Sequence, residues 1–235
     1  MGRGAPPPGV RPATPRAREA AVAGARSSPL RRIRLPIETP RLLLRLPSSR
    51  DVPGLRRIFR DPRAAMAAGA PLHSREERRD PSKMVARTRA EYRRAEHLSL
   101  SVIHRANGGC VGRVGLRGLD WPHRKVESLS YWIDPRYWRE GLATEASYFL
   151  CRAAFRHLGL RRIGSQALDR NFASLRVLRR LGFVEEGLER QAVCVRGSCM
   201  DMVWFGLLKD ELPPIRRLER YWKTTPAGHD GAGRD

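Results

Sequence analysis

The residues with the clearest chemical potential lie where an apolar run gives way to a long amphipathic one. Tyr131-Trp132-Ile133 leads through Asp134-Pro135 into Trp138-Arg139-Glu140-Gly141-Leu142-Ala143-Thr144-Glu145-Ala146. A strand, a tight turn and a helix N-terminus in succession make an anion site. The first N–H groups of a helix have no partner within it and point along the positive end of its dipole, where a pyrophosphate is held well. Gly141 lets the backbone approach closely, and small Ala143 does much the same. Further on, Asn171 is placed as a helix N-cap, and Ser174, one turn later, faces the same way, so both can hydrogen-bond outward from that helix start. The thiols of Cys110, in a strand, and Cys151, in a helix, read as packed groups rather than nucleophiles. The six histidines show no metal spacing, and His157 suits a helix C-terminus.

These groups need elements to position them. Arg41 to Leu46 is strand-like, and Ser48 to Asp51 starts a helix with Pro53 in its first turn and Leu55, Ile58 and Phe59 on one face. Asp61-Pro62 breaks it, and a polar stretch leads to Ser82 as the N-cap of a second helix carrying Met84, Val85 and Tyr92, ending near His97. Leu98 to His104 and Cys110 to Leu119 flank the hairpin signal Asn107-Gly108-Gly109, and a third strand spans Glu127 to Ile133. Leu142, Ala146, Phe149, Leu150, Ala153, Ala154 and Leu158 recur at helical spacing up to Gly159. Arg162 to Leu168 is strand-like, a helix runs from Asn171 to Gly182, and Phe183 to Val195 and Cys199 to Leu208 close as a hairpin through Arg196-Gly197-Ser198. The order predicts one α/β domain over 37–211, a mixed, mostly antiparallel sheet of about seven strands with helices on both faces.

Composition limits the partners. The 235 residues carry a net charge of +22, and 42 of the 46 basic residues are arginine. Residues 1–36, with eight arginines and one acid among prolines and glycines, are expected to be a disordered tail. They resemble a mitochondrial transit peptide in composition, but Pro6 to Pro8 and Pro12 oppose an amphipathic helix, which favours a bacterial tail or a start placed too early. Residues 212–235 read as a polar tail in which Leu218, Tyr221 and Trp222 can dock a short helix on the body. Without the tails the body keeps about +13, a surface suited to polyanions such as RNA, ribosomes or phosphorylated cofactors. The longest apolar run, Val203 to Leu208, is far too short for a membrane span. Cys110, Cys151, Cys194 and Cys199 show no CxxC pair, so neither a disulfide framework nor a zinc site is expected, and the chain reads as cytoplasmic with reduced thiols.

The turn is not isolated. Trp138 to Ala143 resembles the pyrophosphate-binding segment of the GNAT superfamily of acyl-CoA-dependent N-acyltransferases, whose pattern is Gln or Arg, two residues, Gly, one residue, then Gly or Ala. Tryptophan in the first slot, and the whole string Trp138 to Ala146, resembles the ribosomal-protein N-acetyltransferases of the RimJ/RimL type. Glu38-Thr39-Pro40-Arg41-Leu42-Leu43-Leu44-Arg45, Asn171 to Phe183 and the closing hairpin through Asp201 match the same branch. The resemblance implies acetyl-CoA as cosubstrate, held along Trp132, Ile133, Arg139, Glu140, Gly141, Leu142, Ala143, Thr144, Asn171 and Ser174, with no metal.

Acyl transfer from a thioester to an amine requires a neutral amine, a donor for the developing oxyanion and a proton for the departing thiolate. The resemblance assigns the oxyanion to the backbone N–H near Ile133, and Ser174, before Tyr131, is the candidate proton donor to the thiolate. The family often carries a glutamate where this chain has Ser128. Glu127 is displaced by one, which along a strand turns it to the opposite face unless a bulge restores it. Glu185, Glu186 and Asp201 are alternatives through water. The expected acceptor is a protein N-terminal α-amine, with a small-molecule amine as the alternative, in a monomer or homodimer without membrane contact. The competing expectation is a non-catalytic module of the same fold that binds RNA or a ribosome through its arginines.

Overall fold

Period-two alternation in the early strands builds a sheet with two different apolar faces. In this computed structural model, which describes residues 28–67, 74–195 and 197–222, Leu42 and Leu44 are buried on one side of the second strand, while Leu43 packs on the other. Eight strands form one sheet: β1 Ile37–Glu38, β2 Leu42–Arg45, β3 Leu98–His104, β4 Cys110–Asp120, β5 Lys125–Ile133, β6 Arg162–Leu168, β7 Val184–Val195 and β8 Ser198–Leu208. Their order is β1-β2-β3-β4-β5-β6-β8-β7, and β5 with β6 is the parallel pair. The expected seven strands gain β1, too short to leave a periodic signal.

Helices cover both faces. On one lies α5 (Leu142–Leu158), whose Leu142, Ala146, Leu150, Ala154 and Leu158 pack on Val114, Leu116, Leu129 and Ile133. On the other, α1 (Val52–Arg60) and α4 (Pro81–Arg93) bury Leu55, Phe59, Met84 and Val85 against Ile103, Cys110 and Trp132. Short α2 (Pro62–Ala67) and α3 (Arg75–Arg79) lie between them, and α6 (Phe172–Arg180) and α7 (Ile215–Trp222) complete the chain.

Several sequence expectations are corrected. The N-cap of α4 is Asp80, which accepts from Ser82 N, with Pro81 at the first helical position; the helix ends at Arg93, short of His97. Helix α3, unforeseen within a polar stretch, is held by a capping box between Ser74 and Glu77. The chain packs before residue 37: Pro29–Arg32 forms a 3-10 turn, and Leu30 and Ile33 are buried in the main core. Residues 1–27, with the transit-peptide reading, lie outside the described residues. The docked C-terminal helix is present, with Leu218 and Trp222 buried. Cys194 and Cys199 are joined by a disulfide, because the closing hairpin pairs them directly across its two strands, a proximity that linear spacing does not show. Cys110 and Cys151 are free and buried as expected. Among the described residues no helix is long and apolar enough to cross a membrane.

Candidate functional site

The site begins where two strands part. β5 and β6 pair at Lys125 with Arg162, Val126 with Ile163 and Leu129 with Ser165, and no further. Beyond Leu129 they diverge, and Ser165 Oγ closes the vertex by donating to Leu129 O at 2.9 Å. The gap opens a cleft of about 710 Å³ through the sheet, whose walls include Glu127, Ser128, Tyr131, Trp132, Asn171 and Ser174.

Just before the vertex, Glu127 and Ser128 of β5 together face the single residue Gly164 of β6, a β-bulge. The bulged backbone fills the space a side chain would need at 164: a Cβ there would come within 2.3 Å of Glu127 O. On the other side the Glu127 side chain lies over Gly118, whose φ of +64° favours glycine and where a Cβ would sit 2.4 Å from Glu127 Oε2. The opposition of faces expected from simple alternation therefore fails, and Glu127 and Ser128 both line the cleft. The alternative carboxylates are engaged outside it: Glu185 pairs with Arg179, Glu186 with Arg162, and Asp201 accepts from Gln191 N at 2.7 Å.

Two hydroxyl groups also line the cleft. Tyr131 Oη is 2.9 Å from Ser174 Oγ and donates to Ser174 O at 3.2 Å. Burial raises the phenol's pKa, only partly offset by the hydrogen bond with Ser174, so Tyr131 keeps its proton at neutral pH. Asn171 caps α6 by accepting from Ser174 N at 3.1 Å, which fixes the serine over the cleft.

The far end of β5 carries a backbone donor that faces the gap. Asp134 N donates toward β4, to Val111 O at 2.8 Å. N–H groups alternate along a strand, so Ile133 N–H points to the parted side. The neighbouring Ile133 carbonyl accepts the indole N–H of Trp138 at 2.8 Å, which pins the turn to the strand end. Within that turn Arg139 and Gly141 have φ of +71° and +76°, a backbone that curls N–H groups into an anion-accepting concavity before α5. Thr144 and Glu145 turn inward: the Thr144 hydroxyl is buried, and Glu145 accepts from Thr39 Oγ1 (2.6 Å), Arg41 N (2.9 Å) and Arg41 Nε (2.7 Å). What Thr144 offers a ligand is its backbone N–H.

Sequence reasoning left several residues without a role. The Arg41–Glu145 lock was visible only as a motif match. The basic hollow of about 310 Å³ formed by Phe172, Arg176, Arg179, Arg180, Arg217 and Tyr221 joins two distant segments, and Tyr221 O lies 3.5 Å from where a Cβ on Gly141 would be. Cys110 and Cys151 are unsuited to attack, since burial pushes the former up to about 11 and the latter higher still. Among the described residues no cluster of metal-ligating side chains occurs.

Comparison with known proteins agrees with this geometry. The family model described as acetyltransferase (GNAT) domain matches residues 41–184. "Uncharacterized N-acetyltransferase YoaA" of Bacillus subtilis is 29% identical over 74% of this chain and 96% of its own length. "Putative ribosomal N-acetyltransferase YdaF" of the same organism is 37% identical over 45% of this chain and 57% of its own length. The solved Mycobacterium smegmatis RimJ in complex with CoA-disulfide shares the fold, with a TM-score of 0.67 at 23% identity over 76% of this chain and 88% of that one. With strands parted above a bulge and a curled turn before α5, and with the family match covering most of the folded body, the chain belongs to the GNAT family of N-acetyltransferases.

Proposed function

We propose that this N-acetyltransferase moves an acetyl group from acetyl-CoA to the α-amine of a protein N-terminus, of the ribosomal-protein type. The observation that carries the reading is the bulge at Glu127-Ser128, which sets a carboxylate in the same cleft as the Tyr131–Ser174 pair. The residues fit the coenzyme. Backbone N–H groups from Arg139 through Thr144 suit the pyrophosphate, the basic hollow beside Gly141 suits a further phosphate, and Asn171 and Ser174 suit the pantetheine arm. When bound, acetyl-CoA supplies the acyl group as a thioester. Glu127 takes the first proton that the acceptor ammonium loses, Ile133 N–H donates toward the carbonyl oxygen, and Tyr131 with Ser174 delivers a proton to the departing sulfur and regains one from the second that the attacking nitrogen sheds. A C–N bond replaces the C–S bond, and no side chain is acylated. Support for the ribosomal acceptor comes from YdaF's name and from the RimL structure, described as a ribosomal L7/L12 α-N-protein acetyltransferase, which shares the fold at a TM-score of 0.64.

Calorimetric titration with acetyl-CoA tests the cofactor, using Gly141→Glu with Gly141→Ala as the control for the strained φ. Wild-type binding that persists in the alanine variant and falls about a hundredfold with glutamate is expected, since bulk and a negative charge then occupy the anion site. Transfer to ribosomal-protein N-terminal peptides follows. No coenzyme binding to the wild type defeats the reading and turns attention to RNA, which the basic body favours.

A further inference from the structure

The cleft continues past β5 to the face covered by α1 and α4, and one cation on that wall has no part in the chemistry above. Arg113 projects from β4 opposite Trp132 and Ser101 and is 6% exposed. Its guanidinium donates to Thr88 Oγ1 at 2.9 Å and to the Met84 thioether at 2.7 Å, while its buried Nε has no hydrogen-bond partner among the described residues. A hydroxyl and a thioether are neutral acceptors, the second a weak one. Among the described residues no anion therefore touches this buried charge. The nearby carboxylates Glu77 and Glu91 are engaged by Arg87 at 2.9 and 3.9 Å. Burial lowers the guanidinium's pKa to about 10, the direction expected where neutral acceptors stand in for water. A buried cation in such company costs free energy that an anionic ligand would recover.

The position fits an acceptor. Trp132 is the strand partner of Arg113 and immediately precedes Ile133, so the guanidinium sits on the order of 10 Å from the parted strands, one strand spacing plus a side chain. That span is two to three residues of extended chain, by the roughly 3.5 Å rise per residue. Glu127 lines the same cleft, where its carboxylate attracts an ammonium.

We infer that Arg113 is a specificity-determining residue that binds a carboxylate carried by the acceptor close to its reacting amine, so that the enzyme selects zwitterionic N-termini. This rests on the cleft taking an amine acceptor, as proposed above. The neutral pair Thr88 and Met84 holds the guanidinium in place without competing for its charge.

The test reads binding without turnover. Full-length protein is titrated with the tripeptide amides Ser-Glu-Ala and Ser-Gln-Ala, which differ in one carboxylate. The wild type should bind the glutamate peptide about tenfold more tightly, as a charge-assisted hydrogen bond provides. Arg113→Met should abolish that preference with an unchanged or higher melting temperature, and Arg113→Lys should restore part of it. Equal affinity for the two peptides, binding of neither, or a preference that survives Arg113→Met overturns the inference, as does a melting temperature several degrees lower in that variant. Failure to acetylate either peptide counts against the proposed function alone, because the preference is read from affinity.

Discussion

Trp138 shows how one residue joins two parts of the site. Its indole N–H caps the Ile133 carbonyl at the end of β5, and its backbone opens the curled turn that precedes α5. Trp138→Phe keeps most of the ring but removes the donor, leaving a carbonyl beside the proposed oxyanion position unpaired. Turnover should fall about tenfold with little loss of melting temperature, a split that steady-state kinetics and calorimetry separate. Tyr131 and Ser174 share a proton position, so Tyr131→Phe and Ser174→Ala should each lower kcat by about a hundredfold. The double variant should be no slower than the worse single one, because residues acting as a unit are not additive. Losses that multiply would show that the two work separately. At this scale the sequence singled out Tyr131, Ser174 and Gly141 but not the facing of Glu127, since a bulge depends on Gly164 and Gly118 across two neighbouring strands.

Elements are where local signals served best and where their limits are physical. Gly159 and Gly182 end α5 and the α6 turn in left-handed conformations, as their positions after amphipathic runs suggest. What stayed hidden was how α5 is anchored. Glu145, fully buried in its first turn, receives Thr39 and Arg41 from the segment leading into β2, more than a hundred residues away. Glu145→Gln leaves Arg41 facing a neutral amide and should cost about 3 kcal/mol. Thermal melting should record a drop of about 10 °C, and coenzyme affinity should fall with it because the turn is held by the same helix end. An unchanged melting temperature would mean that the helix start is secured elsewhere. The last helix is a second such anchor. Trp222 packs on Tyr148 and Phe149 of α5 with ring centroids 6.1 and 5.9 Å away, and Arg180 lies over the Tyr221 ring at 4.3 Å. Trp222→Ala should cost about 3 kcal/mol and weaken coenzyme binding by loosening the wall beside Gly141. Coenzyme affinity equal to wild type would separate this helix from the site.

Over the whole molecule charge is the dominant feature, and its consequences follow from sign. Composition alone showed the basic excess, but not where acids are spent holding it in place, because the buried acids Glu145 and Asp134 each take an arginine remote in sequence, Arg41 and Arg57. Asp134 is the clearest case: it is buried at the turn below the site and bonded to Arg57 and Arg136, both at 3.0 Å. Burial alone would raise its pKa, but the hydrogen bonds from Arg136 and Arg57 outweigh it and hold the carboxyl below its ordinary value. A carboxylate with a depressed folded-state pKa stabilises the protein above its unfolded value near 4 and loses that contribution as pH falls through the folded one. As the carboxylates protonate, a chain already at +22 gains further positive charge, so self-repulsion adds to the lost pairs. Acid unfolding should therefore be steep and lie below pH 4. Asp134→Asn should lower stability at pH 7 yet narrow the gap to the wild type as pH falls, because the variant has no charge to lose there. Circular dichroism melts of both proteins between pH 3 and 7 provide the check; parallel curves across that range would show that Asp134 gives no pH-dependent support to the fold.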